Sequence, residues 1–235
     1  MTIAENIARV RERISRAAAR VKRNPDSITL MAVSKTVDSE RIHQAYAAGL
    51  RVFGENRVQE FTEKAASLED LAGVEWHLIG HLQSNKAKKA AEIFTAIDSV
   101  DSLRLAEKLN QSAALMGKTM PVLIEIKVGE EESKSGIPPS SPELEELLSA
   151  APKLSNLEIR GLMTVPPFSE DPEGSRMYFR FLRDQRDSIA ARKLPRVEMD
   201  VLSMGMSHDF EIAIEEGSNC VRVGTAIFGE RPKPS

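Results

Sequence analysis

A lysine that ends an apolar run is the first residue in this chain with evident chemical potential. Lys35 and Ser34 follow the apolar, β-branched stretch 28–33, which predicts a buried strand. Partial removal from water lowers the pKa of an amine, and the neutral form attacks carbonyl carbons. The alternative is a lysine that simply extends its charged end into solvent. Lys35 is therefore either a nucleophile toward a carbonyl group or an ordinary lysine at a strand end.

Two short segments near the carboxyl end combine glycine with hydroxyl residues: Ser203, Gly205 and Ser207 in the first, and Gly224 and Thr225 in the second. Glycine lets backbone N–H groups approach an anion closely, and a serine or threonine hydroxyl adds a further donor. Short motifs of this kind are also common in plain turns. They become informative only if the fold brings them near Lys35.

The elements that would position these residues alternate regularly along the chain. Eight strand-like runs occupy residues 28–34, 51–54, 75–79, 95–100, 121–128, 157–165, 197–203 and 220–223. Helix-period or turn-and-helix stretches, such as 85–94 and 142–154, follow them. Such alternation implies parallel strands joined by right-handed crossovers. Eight units predict a closed (β/α)8 TIM barrel, with a doubly wound open sheet as the alternative.

We expect one domain over residues 1–235, with an extra helix in residues 1–24 packed on the barrel. Ile3, Ile7, Val10, Ile14 and Val21 recur at helical spacing there, and Pro25 ends the segment. The same stretch is rich in arginine, as mitochondrial transit peptides are. Glu5 and Glu12 interrupt it, and transit peptides are poor in acidic residues. The sequence therefore favours a structural helix and a cytoplasmic protein.

In a barrel of this kind, functional residues lie at the carboxyl ends of the strands. Lys35 ends the first predicted strand, whereas 203–207 and 224–225 end the seventh and eighth. The loops after strands seven and eight frequently bind phosphate. An amine opposite a phosphate site indicates a ligand with both an aldehyde and a phosphate. Pyridoxal 5′-phosphate (PLP) fits, and so would the substrate of a Schiff-base aldolase, although the lysine of such aldolases typically lies on a later strand.

Composition excludes several other classes of protein. The 235 residues include 32 basic and 35 acidic side chains, for a net charge of −3, which argues against a general nucleic-acid binder. No apolar run approaches the roughly 18 residues of a membrane span. The single cysteine, Cys220, excludes an intramolecular disulfide and a cysteine-based metal cluster.

Two smaller patterns have ordinary explanations. His77 and His81 lie four residues apart, but this stretch reads as a strand entering a loop and lacks the glutamate of a zinc-binding helix. We therefore predict no metal site. The basic cluster of Lys86, Lys88 and Lys89 predicts a solvated helix face, and the acidic residues 130–132 predict a solvated loop beside a segment, 134–136, that could shape the mouth of the site.

Seven ordered motifs resemble the YggS/PROSC family of pyridoxal phosphate homeostasis proteins. They are AVSKT (32–36), FGENRVQE (53–60), WHLIGHLQSNK (76–86), SKSGI (133–137), RGLMTV (160–165), LSMGMSHDFEIAI (202–214) and VRVGTAIFG (221–229). The resemblance runs from about residue 25 to residue 229. His81 and His208 differ from the residues usual at their positions in the family, and we interpret both as local variation.

The resemblance implies a PLP barrel of fold type III, with Lys35 holding the cofactor as a Schiff base and no established turnover. It assigns the phosphate to Ser203, Gly205, Ser207, Gly224 and Thr225, the ring pocket to Asn56, and the neighbourhood of the pyridine nitrogen to Arg222. The orientation of Arg222 depends on strand parity, which could point it outward. A ring nitrogen facing arginine is a poor electron sink, which agrees with a carrier.

The family also implies intracellular PLP homeostasis, with PLP-dependent apoenzymes as candidate acceptors. For a lone barrel we expect a monomer or weak dimer. The alternative function is a PLP-dependent amino-acid racemase using the same lysine. Racemases of this fold usually add a carboxyl-terminal β domain and a catalytic tyrosine. The two tyrosines here, Tyr46 and Tyr178, fall on predicted helices, so the sequence favours the homeostasis protein.

Overall fold

Eight parallel strands close into a barrel, which confirms the predicted fold and makes the open-sheet alternative wrong. The computed structural model describes residues 1–129 and 135–230. The strands pair in chain order, and the last pairs with the first. They are β1 Thr29–Val33, β2 Val52–Glu55, β3 Glu75–Leu78, β4 Ala96–Val100, β5 Met120–Glu125, β6 Leu157–Met163, β7 Val197–Met206 and β8 Cys220–Val223.

Helices cover the outside of this barrel, one after each strand and one before the first. They are α1 Ile3–Arg20, α2 Ser39–Ala47, α3 Val58–Ala65, α4 Ala87–Ile93, α5 Leu103–Leu115, α6 Pro142–Ala150, α7 Arg176–Ala191, α8 Phe210–Glu215 and α9 Thr225–Phe228. Their apolar faces pack on the strands and form the core. None of the helices in the described part of the chain is long and apolar enough to cross a lipid bilayer.

The extra helix α1 packs against α2, α8 and α9, as expected from its apolar periodicity. Thr2 and Glu5 form a capping box at its start, which satisfies backbone donors that would otherwise lack partners. The side chain of Asn6 donates to the carbonyl of Ile227 over 2.8 Å, and Arg20 pairs with Glu215 at 2.6 Å. The amino-terminal helix is thus bonded to the last two helices of the chain.

Strand β7 is longer than the sequence pattern predicts. The predicted end was residue 203, but β7 continues to Met206, which pairs with Arg222 on β8. Gly205 interrupts the apolar sequence pattern of β7 and so suggests an earlier end. Pairing with β8 nevertheless continues past Gly205 to Met206. Ser203 therefore lies within a strand instead of at the beginning of a loop.

A cavity of about 520 Å³ lies at the amino ends of the strands, opposite the expected functional end. Each charged side chain that lines it has an ion-pair partner nearby. Nδ1 of His77 on β3 lies 3.0 Å from a carboxylate oxygen of Asp98 on β4, and Arg160 donates to Asp200 at the rim. Because these pairs neutralise the charged side chains without a ligand, we interpret the cavity as a structural feature of the amino end of the barrel, which we call the barrel floor.

The His77–Asp98 pair makes the protonation state of a buried histidine matter for stability. Burial opposes the charge on His77, but the carboxylates of Asp98 and Glu75 outweigh this and raise the pKa of His77 to about 10. The unfolded chain loses this proton near pH 6.5. The stabilisation is therefore complete below about pH 6.5 and disappears as the pH rises through the folded pKa.

We accordingly expect the free energy of unfolding to fall between about pH 6.5 and 10. One proton contributes a slope of up to about 1.4 kcal/mol per pH unit. The double variant His77→Gln/Asp98→Asn replaces the ion pair by a neutral one and should have a smaller slope over this range. Urea unfolding at fixed pH values measures both slopes, and equal slopes would contradict the assignment.

Candidate functional site

The carboxyl ends of β1, β7 and β8 surround a cavity of about 170 Å³. Lys35, Ser207, Gly224 and Thr225 line it. Four of the eight residues predicted for the site thus lie on one cavity, although nearly two hundred residues separate the first from the last. Pairing between β1 and β8 explains this, because Ala32 lies beside Val223 in the ladder.

The Lys35 end of the cavity is a tight turn between β1 and α2. Strand β1 ends at Val33, and Lys35 follows, half-buried, two residues later. The N–H of Val37 donates to the carbonyl of Ser34 at 3.0 Å and closes the turn. The amine is therefore carried by backbone of defined shape directly beside the barrel mouth.

The other end of the cavity presents several hydrogen-bond donors. The backbone N–H groups of Gly224 and Ala226 both donate to Oγ of Ser207, each at 3.3 Å. These bonds are long for N–H donors, and the exposed Thr225 lies between them. A stronger acceptor such as a phosphate oxygen would find two N–H groups and two hydroxyls here.

Arg41 also lines this cavity, although the sequence did not identify it. Its guanidinium donates to the carbonyl of Phe228 and lies 5.8 Å from the centre of the Phe228 ring. A single arginine on α2 looks like part of an exposed helix face, so the sequence contains no signal for this role. It supplies a positive charge near the hydroxyl-lined end.

Gly205 is not one of the residues that line the cavity. Its φ is +92°, and a Cβ at this position would come within 2.5 Å of the Ala213 Cβ and 2.9 Å of the Phe210 Cα. Only glycine permits the end of β7 to approach α8 so closely. A direct contact of Gly205 with phosphate stays a prediction.

Ser203 and Arg222 lie together in the barrel interior and are not among the residues that line the Lys35 cavity. Arg222 is 3% exposed, and its bonds to β7 and to the residue that follows β6 place its side chain inside the barrel. It donates to Oγ of Ser203 at 2.8 Å and to the carbonyl of Thr164 at 2.7 Å. Because β7 extends past residue 203, the structure brings Ser203 to Arg222 and not to Ser207 and Thr225.

Glu125 is a second polar residue of the interior that the sequence did not identify. It ends β5, is 6% exposed, and accepts from the hydroxyl of Ser135 at 3.2 Å. Burial raises the pKa of Glu125, while Ser135 and the positive charge of Arg222 act against that rise. Conversely, burial lowers the pKa of Arg222, and nearby carboxylates including Asp98 and Glu125 counteract it. The sequence signal that could have identified Glu125 is an acidic residue directly after the apolar run 120–124.

Asn56 follows β2 and is half-buried. It is not among the residues that line the Lys35 cavity. Its backbone packs on Gly80, where an added Cβ would lie 2.3 Å from the Asn56 carbonyl oxygen. A contact between its side chain and a cofactor ring therefore stays a prediction.

The histidines form ordinary contacts and are not among the residues that line the Lys35 cavity, and the acidic residues 130–132 lie outside the described residues. His77 belongs to the barrel floor, and Nδ1 of His81 lies 2.8 Å from Asp101. His208 contacts the carbonyl of Glu170 at the surface. Within residues 1–129 and 135–230, no group of three potential ligands forms a metal site. Residues 130–134, which include part of the SKSGI motif, lie outside the described residues.

Comparison with known proteins agrees with this geometry. Residues 2–232 match the family model for the alanine racemase N-terminal domain. The pyridoxal phosphate homeostasis protein of Aquifex aeolicus is 46% identical over 231 residues, covering 98% of this chain and 99% of the relative. The corresponding protein of Escherichia coli is 45% identical, with 97% of each chain covered.

Solved structures separate the family from its distant relatives. The structure of PipY from Synechococcus elongatus with PLP bound is 38% identical, with a TM-score of 0.82 and coverage of 97% and 100%. An alanine racemase of Clostridium difficile is 17% identical, with a TM-score of 0.69, and the match covers 94% of this chain but 58% of that one. This second likeness shows the barrel fold alone. By sequence and by fold, the chain belongs to the family of pyridoxal phosphate homeostasis proteins.

Proposed function

We propose that this chain binds PLP in the cavity at the carboxyl ends of its strands, bonds it covalently through Lys35, and serves the homeostasis of that cofactor. The observation that carries the proposal is the placement of Lys35 on one cavity with Ser207, Gly224 and Thr225. A primary amine at one end and hydroxyl and N–H donors at the other fit a ligand with an aldehyde and a phosphate. The names of the relatives and the PLP-bound PipY structure support it.

The donors at the hydroxyl-lined end would hold the phosphate. The N–H groups of Gly224 and Ala226 would exchange their long bonds to Ser207 for shorter ones to an anionic oxygen. The hydroxyls of Ser207 and Thr225 add two donors, and Arg41 adds charge. Phosphate binding would then position the aldehyde relative to Lys35.

The barrel interior would hold the ring end. When bound, PLP supplies an aldehyde that condenses with a primary amine with release of one water, and a ring that can accept electrons. Arg222, fixed by Ser203 and Thr164, is our candidate for the residue facing the ring nitrogen. An arginine there would donate a hydrogen bond but would not transfer its proton. The ring nitrogen would therefore stay unprotonated, and the ring would accept electrons weakly. This supports retention of the cofactor in preference to turnover.

The positions of the tyrosines also support a non-catalytic role. The hydroxyl of Tyr46 on α2 donates to the carbonyl of Ala72 at 3.1 Å, and Tyr178 lies on α7. Neither lines the Lys35 cavity, where a racemase would need a second acid–base group. Transfer of PLP to apoenzymes, a cytoplasmic location and a monomeric or weakly dimeric state stay predictions.

Borohydride trapping tests the covalent bond directly. We expect the purified protein to absorb visible light and, after borohydride reduction, to carry the added mass of the cofactor on the peptide containing Lys35. The variant Lys35→Ala should lose this adduct, whereas Lys89→Ala, which changes an exposed lysine of α4, should keep it. Peptide mass spectrometry reads the site, and an adduct on a different lysine would refute the assignment.

Removal of one hydroxyl tests the phosphate end. Thr225→Ala should weaken PLP affinity by roughly 1.5–3 kcal/mol, the range for a hydrogen bond to a charged group. Thr119→Ala removes an exposed threonine hydroxyl before β5 and should leave the affinity unchanged. Both are measured by titration of cofactor-free protein, and equal affinities for the two variants would place the phosphate elsewhere.

An assay for racemase turnover tests the non-catalytic interpretation. Incubation of the PLP-loaded protein with L-alanine should give no more D-alanine than the Lys35→Ala variant gives. Chiral chromatography of the product measures this. Production of D-alanine that depends on Lys35 would overturn the interpretation.

A further inference from the structure

The turn that carries Lys35 is held from outside the cavity, on both sides of the lysine. Before it, Oγ of Ser34 donates to Oε1 of Glu55, and the Ser34 carbonyl accepts from Nζ of Lys64 at 2.9 Å. After it, the N–H of Thr36 donates to Oε1 of Glu60. Glu55 ends β2, and Glu60 and Lys64 lie on α3. We call these three residues the turn clamp.

The turn has a conformation that its own sequence disfavours. Thr36 has a φ of +60°, in the left-handed region that β-branched residues avoid at a cost of roughly 1–3 kcal/mol. Contacts from neighbouring elements must therefore maintain it. The bond from Thr36 to Glu60 is such a contact, and it fixes the peptide immediately after Lys35.

The turn clamp also contains a buried charge pair, whose removal from water costs free energy. Nζ of Lys64 lies 2.7 Å from Glu55 and 3.7 Å from Glu60. Glu55 is fully buried, and its second carboxylate oxygen has no hydrogen-bond partner among the described residues. An unsatisfied buried acceptor costs roughly 1–3 kcal/mol. Strained backbone beside a costly buried charge pair is typical of a site shaped for function.

We propose that Glu55, Glu60 and Lys64 are positioning residues for Lys35, which fix residues 34–36 so that the amine faces the aldehyde of bound PLP. None of the three lines the cavity, so each would act through the turn. The inference rests on the proposed function, because it assumes that Lys35 forms the bond. In that reaction the amine nitrogen bonds to the aldehyde carbon, and the carbonyl oxygen leaves as water.

Two measurements on cofactor-free protein separate positioning from simple folding. The first is the rate of bond formation with PLP, followed by absorbance and by borohydride trapping. The second is the affinity for pyridoxine 5′-phosphate, which has the phosphate but no aldehyde and cannot bond to Lys35. A positioning role predicts that clamp variants slow the first strongly and leave the second nearly unchanged.

The double variant Glu55→Gln/Lys64→Met removes the charge pair without leaving one charge buried alone. We expect it to slow bond formation about 10- to 100-fold, the effect of a misplacement on the order of 1 Å, with analogue affinity within about threefold of wild type. Lys89→Met on α4 is the matched control. Glu60→Ala, which changes a partly exposed residue, keeps the test available if the double variant does not fold, and we expect a several-fold slower reaction.

Unchanged rates of bond formation in these variants would overturn the proposal. Equal losses of rate and of analogue affinity would also overturn it, because they would indicate a general structural role. Failure of the wild type to trap PLP on Lys35 would instead refute the proposed function. The two failures are therefore distinguishable.

Discussion

Pairing between the first and last strands is the constraint on which the site depends. β1 hydrogen-bonds to β8, with Ala32 opposite Val223, and this pairing closes the ring. The residues just beyond these partners are Lys35 on one side and Gly224 and Thr225 on the other. The amine of Lys35 and the hydrogen-bond donors near Gly224 and Thr225 therefore line one cavity because the barrel closes, without any long loop to bring them together. Neither segment could form the site in an open sheet, where the first and last strands would lie apart.

The barrel interior divides its charged groups between two ends. Near the amino ends, His77 and Asp98 neutralise each other, whereas toward the carboxyl ends Arg222 bonds neutral oxygens of Ser203 and Thr164. In the described part of the chain no carboxylate is hydrogen-bonded to this guanidinium, although the carboxylates of Asp98 and Glu125 oppose the lowering of its pKa by burial. That arrangement would suit the role we propose for Arg222 at the ring nitrogen of PLP, and it separates the His77–Asp98 pair from the group that would meet the ligand.

Alternation of strand and helix patterns was sufficient to predict the barrel, and strand ends were sufficient to predict Lys35, Ser207, Gly224 and Thr225 as neighbours. The position of Ser203 inside β7 was not predictable, because the end of β7 depends on pairing of Met206 with Arg222, which no local pattern reveals. A contact of Ser203 with phosphate stays a prediction. The inward orientation of Arg222 likewise depends on register. Arg41 was missed because a lone helical arginine is indistinguishable from a solvated one. Such errors are expected where a tertiary contact decides the outcome.

The position of α1 has a consequence for how the chain matures on the ribosome. Helix α1 buries residues such as Ile3 and Ile7 and packs against α8 and α9, which are made some two hundred residues later. Through most of translation this apolar face lacks its main partners, and exposed apolar surface of that kind promotes aggregation. Helix α1 is made before α8 and α9 and would dock fully only after them, so chaperone protection of its apolar face would matter while the barrel is being made.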